Sequence, residues 1–566
     1  MCISALCCNP SVSLNSTRIV LLLGVFLSAT GFAQNWPQWG RNARHTGRVK
    51  VTGQSADQIL TTAVIDPFAP QKINDSGGDL LTHYPAPLVV GKDVFLMLEG
   101  GTYASCSDGF VTPCGSNAWN SLIWNVQRLT WSRAGTLDLQ WTFATDWLPE
   151  PGVSWEPVFH PLVKGEYVYA PGAGGSVWKI RRRDGAAVAR LTPFDSVDPN
   201  TYVSGPLTAD HKGNLFYNVI QIRPDNPWRQ DVVNSWLVKI APDETATAAT
   251  FTSLTPGAPA ATDQCFLTFP ISQRPWPPSP TAVPPTGFCG TQRPGINISP
   301  AVAKDGTIYT LSTAHLNNRY SYLIAVNPDL TPKWTASLRD RLNDGCGVTI
   351  PYSLDGGCRP GTTQGYDNET NDWPAGRLVD QSSATPVVAP DGSILFGAYT
   401  SYNGSRGHLM HFDSTGQFLN FYDFGWDTTP AIWKHDGTYS VILKDNHYDT
   451  GIYYITQLRP DMTVEWQFQS TNTQLCVRNE DGTISCTATD KTGFEWCINA
   501  PAVDKNGTVY VNSEDGNLYV IGQGGVQLQN LFLNFALGAA YTPLALGHDG
   551  KIYTQNVGRL FVIGAR

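Results

Sequence analysis

The chain reads as an all-β protein, a single β-propeller of four-stranded blades, and three observations lead there. One short phrase recurs eight times: a proline, a few apolar residues, a tight turn closed by glycine, then an apolar run usually ending near tyrosine. Where neighbouring phrases lie closest they are 45, 44 and 42 residues apart, the length of one propeller blade. The apolar runs are five to eight residues long, rich in Val, Ile and Tyr, and bounded by Asp-Gly or Asn-Gly. That is the pattern of strands and hairpin turns, not of helices.

The repeats can be taken in order through their marker prolines, Pro87, Pro161, Pro206, Pro300, Pro386, Pro430, Pro501 and Pro543. The longer intervals, 74, 94, 86 and 71 residues, are the same unit carrying inserted loops. In the fourth repeat Pro300 to Ala303 reads as the innermost strand A, and Lys304-Asp305-Gly306 as a two-residue type of hairpin turn that needs a positive φ. Strand B is expected over Thr307 to Ser312, strand C over Tyr322 to Val326, and strand D around Lys333-Trp334-Thr335. Trp141 and Trp466 recur at the place of Trp334, and such a fixed position points to packing between blades. The eighth repeat ends in a strand C at Gly558 to Gly564, with only Ala565 and Arg566 beyond it. Ile59 to Asp66, ahead of the first repeat, is therefore expected to supply the missing strand D and close the ring. Eight blades fit best. Seven is the alternative count, because the first two repeats have shorter A–B spacings.

The phrase itself, the strand-C run YLIAVNPD from Tyr322 and the strand-D tryptophan resemble the repeat of the quinoprotein-like (PQQ-like) β-propeller superfamily. The opening Asn35-Trp36-Pro37-Gln38-Trp39-Gly40-Arg41, followed by His45-Thr46-Gly47, resembles the start of its secreted members. The resemblance covers nearly the whole chain after the leader, and it is one of scaffold. It implies either of two functions: a quinone- and calcium-dependent alcohol or sugar dehydrogenase, or a non-enzymatic scaffold in the cell envelope. The adjacent Cys7-Cys8 lies in the leader and does not correspond to the paired cysteines of many such dehydrogenases.

Residues 1–33 read as a signal peptide: Arg18, an apolar run from Ile19 to Leu27, then Gly31-Phe32-Ala33 with cleavage near Ala33. No cysteine follows at a lipoprotein-type position, and the apolar run is too short to span a membrane. Residues 34–566 are then one propeller domain, exported to the periplasm or beyond and monomeric. The formal charge of −9 argues against nucleic acid as a partner. Nine of the 12 cysteines lie beyond the leader, and export favours disulfides. Neighbours suggest Cys106–Cys114, Cys265–Cys289, Cys346–Cys358 and Cys476–Cys486, with Cys497 a buried free thiol. A Cys476–Cys497 pairing is the alternative.

The long segments, Gly100 to Trp119, Thr255 to Gly295, Arg339 to Ser383 and Thr471 to Glu495, are B–C or D-to-A connections, which lie on one face of a propeller. All four candidate disulfides fall within them. Long stapled loops point to a binding surface, although loops that only cap the disc are the plainer reading. Candidate binding residues at the B–C tips are Asn317, Arg319, Tyr320, Tyr399, Tyr402, Arg406, Asp445, Asn446 and His447. Asp367, Asn368, Glu369 and Asp372 form a candidate calcium site, against which stands an ordinary acidic loop. His408 and His411, three apart on a strand, point to opposite faces. No catalytic residue is assigned, and no nucleophile-elbow, zincin or nucleotide-binding motif occurs. The expected function is a non-enzymatic exported module binding a protein or cell-envelope partner, without a cofactor. The alternatives are the PQQ- and calcium-dependent dehydrogenase and a glycan-active propeller enzyme.

Overall fold

Each proline-led phrase folds into one antiparallel sheet, and the computed structural model arranges eight such sheets as a β-propeller. It describes residues 35–565 except 81, 106–118, 120, 154–157, 344, 348–356, 400–406, 426, 449, 540 and 542. The expected leader therefore lies outside the described residues. In every blade strand A pairs with B, B with C and C with D. The last blade takes its strand D from the other end of the chain: Gln58–Val64 pairs antiparallel with Arg559–Gly564. The count is eight, closed as the sequence suggests.

Blade 4 shows where local reading falls short. Its strand A is interrupted, Gln292–Pro294 and Ala301–Val302, and both pieces pair with strand B, Ile308–Ala314. Strand C runs Asn317–Val326 and strand D Pro332–Ser337. Strand C starts five residues earlier than expected, because strands B and C continue above strand A beneath an inserted lobe. The A–B turn also differs. Ala303 N–H donates to Thr307 O (2.8 Å) and Gly306 N–H to Ala303 O (3.1 Å), with Gly306 at φ +95°. This is a three-residue loop, a turn plus a glycine bulge, in place of the two-residue turn. Asp305 belongs to it structurally, accepting from Thr307 N–H at 3.0 Å. The same bonds recur around Gly213, Gly392, Gly507 and Gly550.

The recurring tryptophans join neighbouring blades, as expected. Trp141 Nε1 donates to Arg182 O (2.9 Å) and Trp334 Nε1 to Ser414 O (3.0 Å), each on the C–D turn of the next blade. Gly185 and Gly416 in those turns lie against the indole, where a Cβ would come within 2.7 Å of the ring. Trp466 stands likewise against Gly525 in the next C–D turn.

The opening segment does more than start the chain. Residues 36–54 run round the inner rim of the ring and bond to all eight blades in order. Trp36 pairs with Val89; Val163 N–H donates to Pro37 O, Val302 N–H to Ala43 O and Val388 N–H to Arg44 O. Ile432 N–H donates to Thr46 O, Val503 N–H to Gly47 O, and Gln54 N–H to Gly550 O. In blade 3 the link is the Gln38 side chain, whose Oε1 accepts from Ala209 N–H at 2.7 Å. Most of these contacts sit beside the A–B turns, so the strap covers the axis on that face. At its centre His45 is 1% exposed. Its Nδ1 lies 2.8 Å from Pro386 O and its Nε2 3.2 Å from Thr208 Oγ1, tying blade 5 to blade 3 over the blade between them. Trp39 Nε1 donates to Thr385 Oγ1 (3.1 Å) and its ring meets His160 edge-on.

Burial pushes the His45 imidazole down to about 4, against about 6.5 in an unfolded chain. Between those values the unfolded chain binds a proton that the folded chain refuses. The stability His45 contributes is whole above pH 6.5 and is lost as the pH falls from there toward 4. We expect His45→Ala to cost about 1–3 kcal/mol at pH 7 and to lose less stability than the wild type between pH 7 and 5, measured by urea unfolding.

Candidate functional site on the looped face

Three D-to-A connections carry the described disulfides, and all rise from the face opposite the strap. Cys265–Cys289 closes the insertion between blades 3 and 4, Cys346–Cys358 that between blades 4 and 5, and Cys476–Cys486 that between blades 6 and 7. The first two insertions fuse into one lobe. Trp276 N–H donates to Gly357 O, Arg359 N–H to Trp276 O and Phe269 N–H to Glu369 O, and Asn371 Nδ2 reaches Pro280 O at 2.8 Å. Cys106 and Cys114 lie outside the described residues.

Of the expected tip residues that are described, Asn317, Arg319 and Tyr320 hold this lobe down and the rest bond to other connections and strands; all are buried except half-buried Tyr320. Asn317 Nδ2 donates to Phe266 O (2.7 Å), and the Tyr320 hydroxyl accepts from Phe266 N–H (3.1 Å). Arg319 Nη2 binds Asp367 Oδ2 at 2.9 Å, both side chains being almost wholly buried. Tyr399 pairs through its backbone with Arg377, and its hydroxyl accepts from Asp427 N–H. Asp445 Oδ2 takes bonds from Tyr422 and Thr456, and its Oδ1 lies 2.8 Å from His447 Nε2. Asn446 brackets the backbone of Trp496 through both atoms of its amide. Tyr402 and Arg406 lie outside the described residues. His408 meets Asp423 and His411 meets Asn420, separately.

The acidic run follows the same logic. Asp367 faces Arg319, Asp372 Oδ2 meets Arg339 Nη2 at 3.0 Å, and Glu369 Oε2 stands 3.6 Å from Arg319. Asn368 is buried beside them. Guanidinium groups hold the oxygens that a calcium ion would need.

A cleft of about 570 Å³ opens between this lobe and the tops of blades 3 and 4, lined among others by Trp228, Leu267, Arg293, Asn317, Arg319 and Arg377. Arg293 grips Asp380 with both terminal nitrogens (2.9 and 2.7 Å), and its Nε donates to His315 Nδ1 (2.9 Å). That bond fixes the proton of His315 on Nε2, facing Pro227 O. Burial and the adjacent Arg293 push the His315 imidazole down to about 4. Behind this pair lies Glu150, fully buried, with no hydrogen-bond partner for either carboxyl oxygen among the described residues. Burial, with Asp380 adding, pushes its carboxyl up to about 8.

A second cluster stands near the axis. Asp427 accepts from Ser382 Oγ, Ser383 N–H and Ser383 Oγ, and buried Lys444 lies with its ammonium 5.2 Å from the Tyr541 ring centre. Nearby Glu495, Cys497 and Glu514 bring ligand atoms within 4.8 Å of one another, the one such convergence of His, Cys, Asp and Glu among the described residues. Cys497 is a buried free thiol, held well above its ordinary range by burial and then by Glu495 and Glu514. A thiol is a poor partner for calcium, Asp367 and Asp372 are committed to arginines, and no two cysteines are adjacent beyond residue 33. Among the described residues, neither the acidic run nor this cluster fits a calcium-bound quinone.

The cleft was not visible in the sequence beyond Asn317 and Arg319. Trp228, Arg293, His315, Glu150 and Arg377 come from separate connections, and no local pattern marks them.

No family model and no curated protein matches the chain by sequence. Among solved structures it is similar to a europium-containing methanol dehydrogenase, with 10% identity over 92% of this chain and 89% of that one, at a TM-score of 0.47. It is similar also to BamB from Moraxella catarrhalis, with 11% identity over 90% and 99% of the two chains and a TM-score of 0.38. A third is the quinohemoprotein alcohol dehydrogenase from Comamonas testosteroni, with 11% identity over 95% and 82% and a TM-score of 0.44. At such values nothing about activity passes to this chain.

Two outcomes follow from the buried groups. A carboxyl whose folded value is raised destabilises the fold as pH climbs from its ordinary value toward 8, because the unfolded chain releases the proton first. Glu150→Gln should therefore unfold at higher urea than the wild type at pH 8, with the advantage shrinking toward pH 4.5. Cys497 should resist a thiol reagent in the native chain. After unfolding without reductant, one thiol should react per chain that lacks residues 1–33, provided that Cys106 and Cys114 are paired; three would show them free.

Proposed function

We propose that this chain is an exported, non-enzymatic binding protein that engages a protein or cell-envelope partner through its looped face. One observation carries the reading. The disulfide-closed hairpin of Gln264–Phe266 and Thr286–Phe288 belongs to a stapled insertion that holds large apolar side chains out in solvent, with Ile271 72%, Val283 71% and Phe288 59% exposed. An apolar surface kept outward by a covalent staple is what a docking site requires. The second stapled hairpin adds support: Ile484–Ala488 pairs with Gln474–Arg478 along one edge, and all five of its residues are exposed. Its other edge is available for a partner strand.

Against catalysis by a bound quinone stands the commitment of Asp367 and Asp372, the expected calcium ligands, to Arg319 and Arg339. A photo-reactive residue placed at Phe288 should cross-link a discrete partner in the producing cell, whereas the same residue at Lys212, on the strap face, should not. Equal labelling from both faces, or none from the looped face, would contradict the proposal. The purified chain mixed with pyrroloquinoline quinone and calcium should retain neither in stoichiometric amount and should oxidise no alcohol in a dye-linked assay. One-to-one retention with alcohol oxidation would replace this reading by the dehydrogenase.

A further inference from the structure

Four of the arginines around the fused lobe concern the cleft, and three of those are matched by an acid at contact distance. Arg293 is held by Asp380, Arg319 by Asp367 and Arg339 by Asp372. Arg377 is the fourth. It lines the cleft, its side chain makes no hydrogen bond or ion pair among the described residues, and its Nε is buried without a partner. Its backbone is fixed on both sides, N–H donating to Tyr399 O (2.6 Å) and its carbonyl accepting from Tyr399 N–H (3.2 Å). The guanidinium thus hangs from a rung of the blade 5 ladder, not from a free loop.

Asp367 and Glu369 act on Arg377 through space, but neither meets the guanidinium at contact distance, and a cleft open to solvent offers the place where a ligand carboxylate can make that contact. The ligand's chemistry can be narrowed. A single unmatched guanidinium fork suits one carboxylate bidentately. A dianionic phosphate would meet the neighbouring carboxylates of Asp380 and Glu369, while the other arginines of the cleft lining, Arg293 and Arg319, are already held by acids. Beside Arg377 the walls turn apolar, with Leu267, Leu316, Val379 and Trp228. The volume of about 570 Å³ lies in the range of small-ligand sites. It has room for a few residues of peptide or a disaccharide.

We infer that this cleft binds the carboxylate of a ligand with an apolar flank, and that Arg377 is the group that receives it. The inference rests on the looped face being a binding surface and names the chemistry that surface reads. Two sources share that chemistry: the free C-terminus of a peptide and a uronic-acid sugar.

Calorimetry on the full chain separates them, using an N-acetylated apolar tripeptide with a free C-terminal carboxylate, the same tripeptide as its C-terminal amide, and a digalacturonate. One of the two acids is expected to bind, which identifies the source. If the peptide binds, its amide should bind about tenfold more weakly or worse, the weight of one charge-assisted contact. Arg377→Gln should weaken the acid by a similar factor with a melting temperature no lower than the wild type's, and Arg377→Lys should fall between. The wild-type comparisons stand even if Arg377→Gln fails to fold. Failure of both acids to bind at millimolar concentration, equal binding of a bound peptide acid and its amide, or full affinity in a folded Arg377→Gln would overturn the inference. The cross-link at Phe288 does not depend on this carboxylate, so losing one result leaves the other to be judged alone.

Discussion

Everything in this molecule depends on closing the ring, and the closure is made twice by the same stretch of chain. Residues 36–54 bond to the inner strand of each blade in order, and Gln58–Val64 then completes the last blade against Arg559–Gly564. A ring of sheets has one seam, and an open seam would expose unpaired backbone on both sides. Here the strand that seals the seam is the direct continuation of the strap that fastens the hub. His45 adds a further tie, linking blade 3 to blade 5 through one buried ring.

That arrangement sorts the two faces. On one, short A–B turns are pinned by the strap and leave little room for insertions. On the other, the D-to-A connections are unconstrained, and three of them have grown into stapled excursions. The buried acid–arginine pairs belong to this second layer. They anchor the fused lobe on blades 4 and 5, and because each pair is mutually neutral, Arg377 stands out chemically as the arginine of the cleft lining with no acid at contact distance. Binding surface and scaffold are thus built from different residues, joined through the strand extensions that carry Arg319 and Asp445.

The scaffold was legible because its signals are local and repeated. A proline phrase, an Asp-Gly turn and a strand-D tryptophan each sit within a few residues, and closure follows from a missing last strand. Near-neighbour spacing also found the Cys265, Cys346 and Cys476 pairings. The length of strands B and C was misjudged because their extra residues, Asn317 to Ser321 among them, are polar and earn their strand state from the lobe above them. The strap was read as a motif without a structural role, since an irregular segment has no period to recognise. The cleft stayed hidden for a further reason. Trp228, Arg293 and Arg377 lie in three different connections, and only the folded ring brings them together.

Hydrogen exchange followed by mass spectrometry tests the closure most directly. Amides of the strap, Val49 and Gln54 among them, should exchange at the same slow rate as those of Ile552–Asn556 in the last blade, because one cooperative opening releases both. A strap that exchanges within seconds while the last blade stays protected would show that the ring holds without it.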